Sequence, residues 1–182
     1  VNGLEVKLQG RLSNRTKLLN NTNYFITNPL AVDFTSNLPT GIFGDTSLVA
    51  DAKNFTVGAS IYFTPYQYYR IINNRKQLSH SAYPTFGLMT KMGFSRDLPQ
   101  NNAFYQLSLS MKQGFQSRLL GSLDYYVEIG SFYGDKVHHF ADYKHFSTAP
   151  TWIGGNATNS TFRALLPYER STTDAYFQAH LH

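Results

Sequence analysis

The sequence predicts an all-β fold, an antiparallel meander that forms part of a transmembrane β-barrel. Three observations carry this reading. First, long segments alternate apolar and polar residues. From Leu119 to Tyr133 the odd positions include Leu123, Val127 and Ile129, against Asp124, Tyr126 and Glu128 at even ones. Tyr105, Leu107, Leu109 and Met111 alternate in the same way with Gln106, Ser108, Ser110 and Lys112. Side chains on a strand point to opposite faces at period two, so each segment carries one apolar and one polar face. Second, these segments run well past the roughly five or six residues usual in soluble strands, as a membrane barrel requires. Third, no helical periodicity occurs, and no stretch approaches the roughly 20 apolar residues of a membrane helix. A chain crossing a bilayer without such a helix does so as strands of a closed barrel, which satisfy their own backbone groups.

The elements follow in order. Leu4–Leu12 alternates and reads as a strand, with a second short one around Asn23–Thr27. Residues 28–54 carry Pro29, Pro39, Gly41 and Gly44 and read as a long loop. Phe55–Thr64 opposes Phe55, Val57, Ala59, Ile61 and Phe63 to Thr56, Gly58, Ser60 and Tyr62, and continues past Pro65 towards Ile72. Asn73–Lys76 forms a turn, Tyr83–Phe94 the next strand, and 97–102 a loop. The two long strands come next, then a connection over 134–160, a strand over Thr161–Tyr168, a turn over Arg170–Thr173, and a last strand from Asp174. Both ends of the chain look cut, so residues 1–182 read as a single partial barrel domain.

Aromatic spacing agrees with a bilayer. Phe86 and Phe94 bracket one strand on its apolar face, and Tyr105 and Phe115 the next. At about 3.3 Å per residue these pairs lie roughly 26 and roughly 33 Å apart. Tilted near 40°, they project to roughly 20 and roughly 25 Å, the height of a barrel's apolar band with an aromatic girdle at each interface. Connectivity puts Phe94, Tyr105 and Tyr133 at one rim, and Phe86 and Phe115 at the other. A secreted β-sandwich adhesin is the alternative if the apolar face meets protein rather than lipid.

The chain has no cysteine, which excludes disulfides and thiolate metal sites. Its net charge of +5 is scattered over expected turns (Arg75, Lys76, Arg96, Arg118, Lys136, Lys144). A nucleic-acid interface needs such residues clustered with stacking aromatics, so nucleic acid is not expected as a partner. Five Asn-x-Ser/Thr triplets, starting at Asn14, Asn20, Asn54, Asn156 and Asn159, read as products of Asn- and Thr-rich loops.

Candidate chemistry gathers in two places. His138, His139, Asp142 and His145 in one segment supply imidazoles and a carboxylate, the ligand types of many zinc and iron sites. Their spacing matches no metal motif, and a polar loop packing its aromatics and histidines is the plainer reading. His180 and His182 share the polar face of the last strand with Tyr176 and Gln178. Ser171, Thr172 and Asp174 nearby suggest a hydrolase triad, but no Gly-x-Ser-x-Gly turn frames a nucleophile. Within the strands, Lys91, Lys112, Asp124 and Glu128 all fall on the polar face. A turn at 117–119 would set Lys112 opposite Asp124, and Ser108 opposite Glu128. No catalytic, metal or cofactor-binding residue is assigned.

The C-terminal two thirds carry a family resemblance. Tyr83-Pro84-Thr85-Phe86, Asp142-Tyr143-Lys144-His145-Phe146, Gly155-Asn156, Phe162 to Tyr168 (FRALLPY), Ser171-Thr172, Tyr176 and Ala179-His180 with His182 occur in order. In this the chain resembles DUF5686, an outer-membrane β-barrel family of Bacteroidota that usually follows an N-terminal carboxypeptidase-regulatory-like domain. The agreement runs from about Phe55 to the end, and Thr148–Gly154 looks like an insertion. The resemblance implies an outer-membrane location, the lipid bilayer and other envelope proteins as partners, and a barrel extending past His182. It implies no catalytic residues.

Two functions follow as expectations. One is a non-enzymatic barrel for transport, envelope assembly or surface-complex scaffolding. The other is a barrel-embedded enzyme or metal site using the 138–145 loop and the His180/His182 row. The 134–160 connection exceeds the two to five residues usual in hairpins, and Phe140, Tyr143, Phe146, Trp152 and Ile153 make it too apolar to stay solvated. It is therefore expected to pack across the barrel mouth or into the lumen, with Trp152 as an anchor and Asp142 and His145 on the inner wall near His180.

Overall fold

The computed structural model describes residues 3–16, 49, 51–78, 81–95, 103–117, 121–134, 137, 139–148, 161–162, 165 and 168–181. Eight strands occur among them: β1 (Leu4–Arg15), β2 (Ala52–Phe63), β3 (Tyr69–Ile72), β4 (Arg75–Leu78), β5 (Thr85–Ser95), β6 (Ala103–Ser117), β7 (Gly121–Gly134) and β8 (Tyr176–Leu181). Six form one sheet in the order β1-β2-β5-β6-β7-β8, every neighbouring pair antiparallel. β3 and β4 form a separate hairpin. Among the described residues a 3-10 turn spans Phe140–Asp142. Among the described residues no helix is long and apolar enough to cross a membrane.

Register sorts the residues cleanly by face. One row across the sheet runs Leu8, Ala59, Thr90, Leu107 and Ser131; a neighbouring row runs Val6, Ile61, Leu88, Leu109, Ile129 and Phe177. These apolar rows stay open to the surroundings: Leu109 is 54% exposed, Ile129 56% and Phe177 65%. The opposite face carries Gln9, Gly58, Lys91, Gln106 and Phe132, and beside them Ser60, Met89, Ser108, Gly130 and Tyr176. On that face the buried residues are largely polar, including Asn54, Ser108, Glu128 and Gln178. Lys91, Lys112, Asp124 and Glu128 share it, as alternation predicts, and Leu107, Leu109, Leu123, Val127 and Ile129 share the other. The aromatic rims fall as expected. Phe55 stacks on Phe94 at 6.3 Å, Phe94 lies beside Ala103, and Tyr105 pairs with Tyr133; at the other end Phe63 pairs with Phe86.

Several elements differ from the reading of the sequence. The β6–β7 connection is 118–120, not 117–119, and Gly121 closes it with φ +79, a left-handed conformation that favours glycine. The register therefore moves by two residues: Lys112 faces Tyr126, Gly114 faces Asp124, and Ser110 faces Glu128. The expected Lys112–Asp124 pair does not form, but an even shift leaves every side chain on its face. The strand from Phe55 does not run on to Ile72. It stops at Phe63, Tyr66 takes φ +47, and a new hairpin turns at Asn73 and Asn74 with φ +51 and +61. Two left-handed residues make the primed turn that fits strand twist, and Asn tolerates it. Of the strand expected over Thr161–Tyr168, the described residues show an isolated bridge between Phe162 and Thr148 and a left-handed Tyr168 at φ +66; the rest of that stretch lies outside the described residues. β8 starts at Tyr176 rather than Asp174. The strand expected at Asn23–Thr27 and the anchoring role of Trp152 lie outside the described residues.

Candidate functional site

The chain between β7 and β8 turns back over the polar face of the sheet. Its 3-10 turn starts where the His139 imidazole accepts a hydrogen bond from the Ala141 N–H at 3.1 Å, a side-chain cap on an otherwise orphaned donor. Phe140 is buried against the rings of Tyr143, His145 and Tyr168, with centroids 5.3, 4.8 and 5.6 Å away. That packing leaves Asp142 and Lys144 to meet the sheet.

Asp142 is 3% exposed. The Arg15 guanidinium donates to both of its oxygens, at 2.7 and 3.0 Å; Asn54 Nδ2 donates at 3.1 Å and Lys91 Nζ at 3.4 Å. Three strands, β1, β2 and β5, thus converge on one carboxylate. Burial alone would raise its pKa, but the Arg15 hydrogen bonds and the charges of Lys91 and Arg15 hold it below the ordinary aspartate value. The paired forks of Arg15 and Asp142 fix orientation as well as charge.

Lys144 makes the reciprocal contact. Its Nζ donates to Glu128 Oε1 at 2.8 Å and sits 4.7 Å from the centre of the Tyr176 ring. Glu128, also 3% exposed, accepts further hydrogen bonds from the hydroxyls of Tyr126 and Tyr176 (2.7 Å for the latter) and from the Gln178 amide. Gln106 in turn donates to the Tyr176 hydroxyl at 3.2 Å. Each buried carboxylate is therefore matched by a cation from across the contact, which offsets the cost of taking it out of water. Behind Lys144 the backbone exchanges two hydrogen bonds with Thr172, at 2.9 and 3.1 Å.

Among the described residues the candidates do not assemble into one catalytic or metal centre. His145 Nδ1 lies 2.8 Å from Ser171 Oγ, which also donates to the Tyr168 carbonyl at 3.0 Å. Burial pushes the His145 pKa down and the Lys91 charge adds to this, against the Phe140 carbonyl and Asp142. His180 sits instead under Phe162, 4.4 Å between ring centres, and beside Tyr126. Lys112 lies on the polar face nearer the far end of the sheet, and Asp124 stands opposite Gly114. His138 and His182 lie outside the described residues. Among the described residues no group of three His, Cys, Asp or Glu side chains could hold a metal ion.

Reading the sequence missed Arg15 and Asn54, and did not connect Lys91 or Lys144 to a carboxylate. Arg15 and Asp142 are 127 positions apart, so only their placement on polar faces was available as a signal. Between the two anchors remains a cleft of about 400 Å³, walled by β1, β2, β5 and the 141–144 segment.

No curated protein and no solved structure matches the chain. The family of unknown function DUF5686 matches through its C-terminal domain over residues 1–182, so the match also takes in the stretch before Phe55 where the sequence motifs are sparse. The chain belongs to the DUF5686 family.

Proposed function

We propose that the chain is part of an outer-membrane β-barrel, in an envelope such as that of Bacteroidota, whose β7–β8 connection folds inward and narrows a polar lumen. In that position it would serve transport, envelope assembly or surface-complex scaffolding. One observation carries the reading: burial is inverted. Acids, amides and hydroxyls are enclosed, while leucines, isoleucines and phenylalanines along every strand of the sheet stay open. A soluble monomer rarely exposes a contiguous apolar patch beyond a few hundred Å², whereas a barrel in lipid needs one on its outside. Strand length supports the same reading. The 11 residues of β5 extend about 36 Å, or about 28 Å when tilted near 40°, close to a bilayer's apolar thickness.

The test places charge on each face of β6. Leu109→Lys, at mid-strand on the apolar face, would cost roughly 2–4 kcal/mol at the bilayer midplane and should remove the protein from the outer-membrane fraction. Lys112→Glu, exposed on the polar face, should assemble like the parent. Equal fractionation of the two variants would defeat the membrane reading and favour a soluble sheet.

A further inference from the structure

We propose that the cleft between β1, β2, β5 and the 141–144 segment binds a small oxyanion, a phosphate or carboxylate group. This inference goes beyond the barrel reading and does not depend on lipid at the apolar face, since the charged side chains that line the cleft from the sheet lie on the polar face.

Charge is the first argument. Among the described residues, Arg11, Arg15, Lys91 and Lys144 line the cleft against Glu128 and Asp142, an excess of two positive charges. Lys144 is matched by Glu128, and Asp142 is shared by Arg15 and Lys91, so part of the excess lies between those two cations. The rest is Arg11, which makes no ion pair among the described residues.

Unused donors are the second argument. Arg15 has five N–H groups and spends two on Asp142; Lys91 has three and spends one at 3.4 Å. Lys91 is also held over the Phe104 ring, 5.3 Å from its centre, so its position is set without an anion. The hydroxyls of Thr56, Ser60 and Ser108 and the amides of Gln9 and Gln106 complete the wall. A guanidinium fork presents paired donors that fit the two oxygens of a carboxylate or phosphate, and Arg11 and Arg15 lie on one face of β1.

Size narrows the ligand. About 400 Å³ lies near the lower end of small-molecule sites. It accommodates a small anion but no nucleic-acid duplex, and among the described residues no aromatic ring lines it for stacking. The headgroup of a bilayer lipid would have to cross the sheet to reach it, because the apolar rows occupy the opposite face.

Titration calorimetry on the full-length protein in maltoside micelles at low ionic strength tests this, first with inorganic phosphate and then with succinate. Saturable binding of either anion is expected. Arg11→Gln, which removes no ion pair among the described residues, should weaken it at least tenfold while leaving thermal unfolding unchanged. Lys112→Gln, on the same face but away from the cleft, should change it less than twofold. No saturable heat with either anion would overturn the proposal. So would equal weakening by the two variants, which would mark diffuse attraction to a basic surface. Displacement of phosphate by vesicles rich in anionic lipid would also overturn it, because it would put the site at the membrane surface.

Discussion

Asp142→Asn asks how much of the inward fold of the β7–β8 connection hangs on one carboxylate. The side chain is 3% exposed and takes two hydrogen bonds from Arg15, one from Asn54 and one from Lys91. Removing one partner of a buried ion pair typically costs about 3–5 kcal/mol, because the remaining charge is left uncompensated. Two features reduce that figure here. Asparagine keeps one acceptor for Arg15, and the Lys91 side chain, 33% exposed, regains water readily. The expected cost is about 2–4 kcal/mol. At about 1.4 kcal/mol per tenfold change, the detached population should rise by about 30-fold to about 1000-fold. The loss should be local, since no strand pairing depends on Asp142. Hydrogen exchange followed by mass spectrometry should show faster exchange over 139–148, with peptides from the middle of β6 and β7 unchanged. Pairing the substitution with Arg15→Gln should give a coupling of about 1–3 kcal/mol. Unchanged exchange over 139–148, or additive costs, would refute the clamp; equal loss over the whole sheet would show that the connection is part of the sheet's global fold.

Three further outcomes follow from the same contacts. His145 titrates below its ordinary value of 6.5 in the fold, so its neutral form stabilises the folded connection; that contribution is present above pH 6.5 and is lost as pH falls from there through the lower folded pKa. Asp142 has the same sign at lower pH, its contribution being present above 3.8 and lost as pH falls through its depressed value. Protection of 139–148, corrected for intrinsic exchange, should therefore fall in two steps on acidification, and His145→Gln should remove only the first. Gly130→Ala places a methyl group against the Tyr176 ring, which should displace the hydroxyl that donates to Glu128 and cost about 1–3 kcal/mol, read as a shift in the denaturant midpoint. Lys144→Gln should cost about 1–3 kcal/mol and less than Asp142→Asn, because Glu128 keeps three neutral donors; a larger cost than Asp142→Asn in the same exchange assay would show that Lys144 is the main anchor.

Much of the fold was legible because period-two alternation is a local property. Leu107, Leu109 and Met111 declare a face without reference to any other part of the chain, and the order β5-β6-β7 follows from short connections between long alternating runs. Register was less legible. It depended on whether the β6–β7 turn took residues 117–119 or 118–120, and the left-handed Gly121 decides that only once the backbone is known. The break after Phe63 was visible in Pro65, but Tyr66, Tyr68 and Arg70 kept an alternation that imitates a continuing strand while belonging partly to a separate hairpin. The candidate site was legible by half. Asp142 and Glu128 stood out as carboxylates in a polar loop and on a polar face. Their partners did not, since Arg15 is brought to Asp142 by the pairing of five strands, β1, β2, β5, β6 and β7, and Lys91 by the pairing of β5, β6 and β7.

The charges explain why this connection settles where it does. Glu128 belongs to the sheet and is answered by Lys144 of the connection; Asp142 belongs to the connection and is answered by Arg15 and Lys91 of the sheet. Asp142 and Lys144 are two residues apart, with the Tyr143 ring between them tilted against Phe140. A shift of two residues in the seating of this segment would bring Lys144 to Arg15 and Lys91, three like charges, and leave Glu128 without its cation. A carboxylate as enclosed as Glu128 tolerates that poorly, so the alternative seating is opposed by repulsion as well as by lost contacts. The same alternation leaves Arg11 outside both pairs on the wall of the cleft. The inward seating and the basic cleft thus have a common origin: the sheet's polar face carries more cations than the connection's carboxylate neutralises.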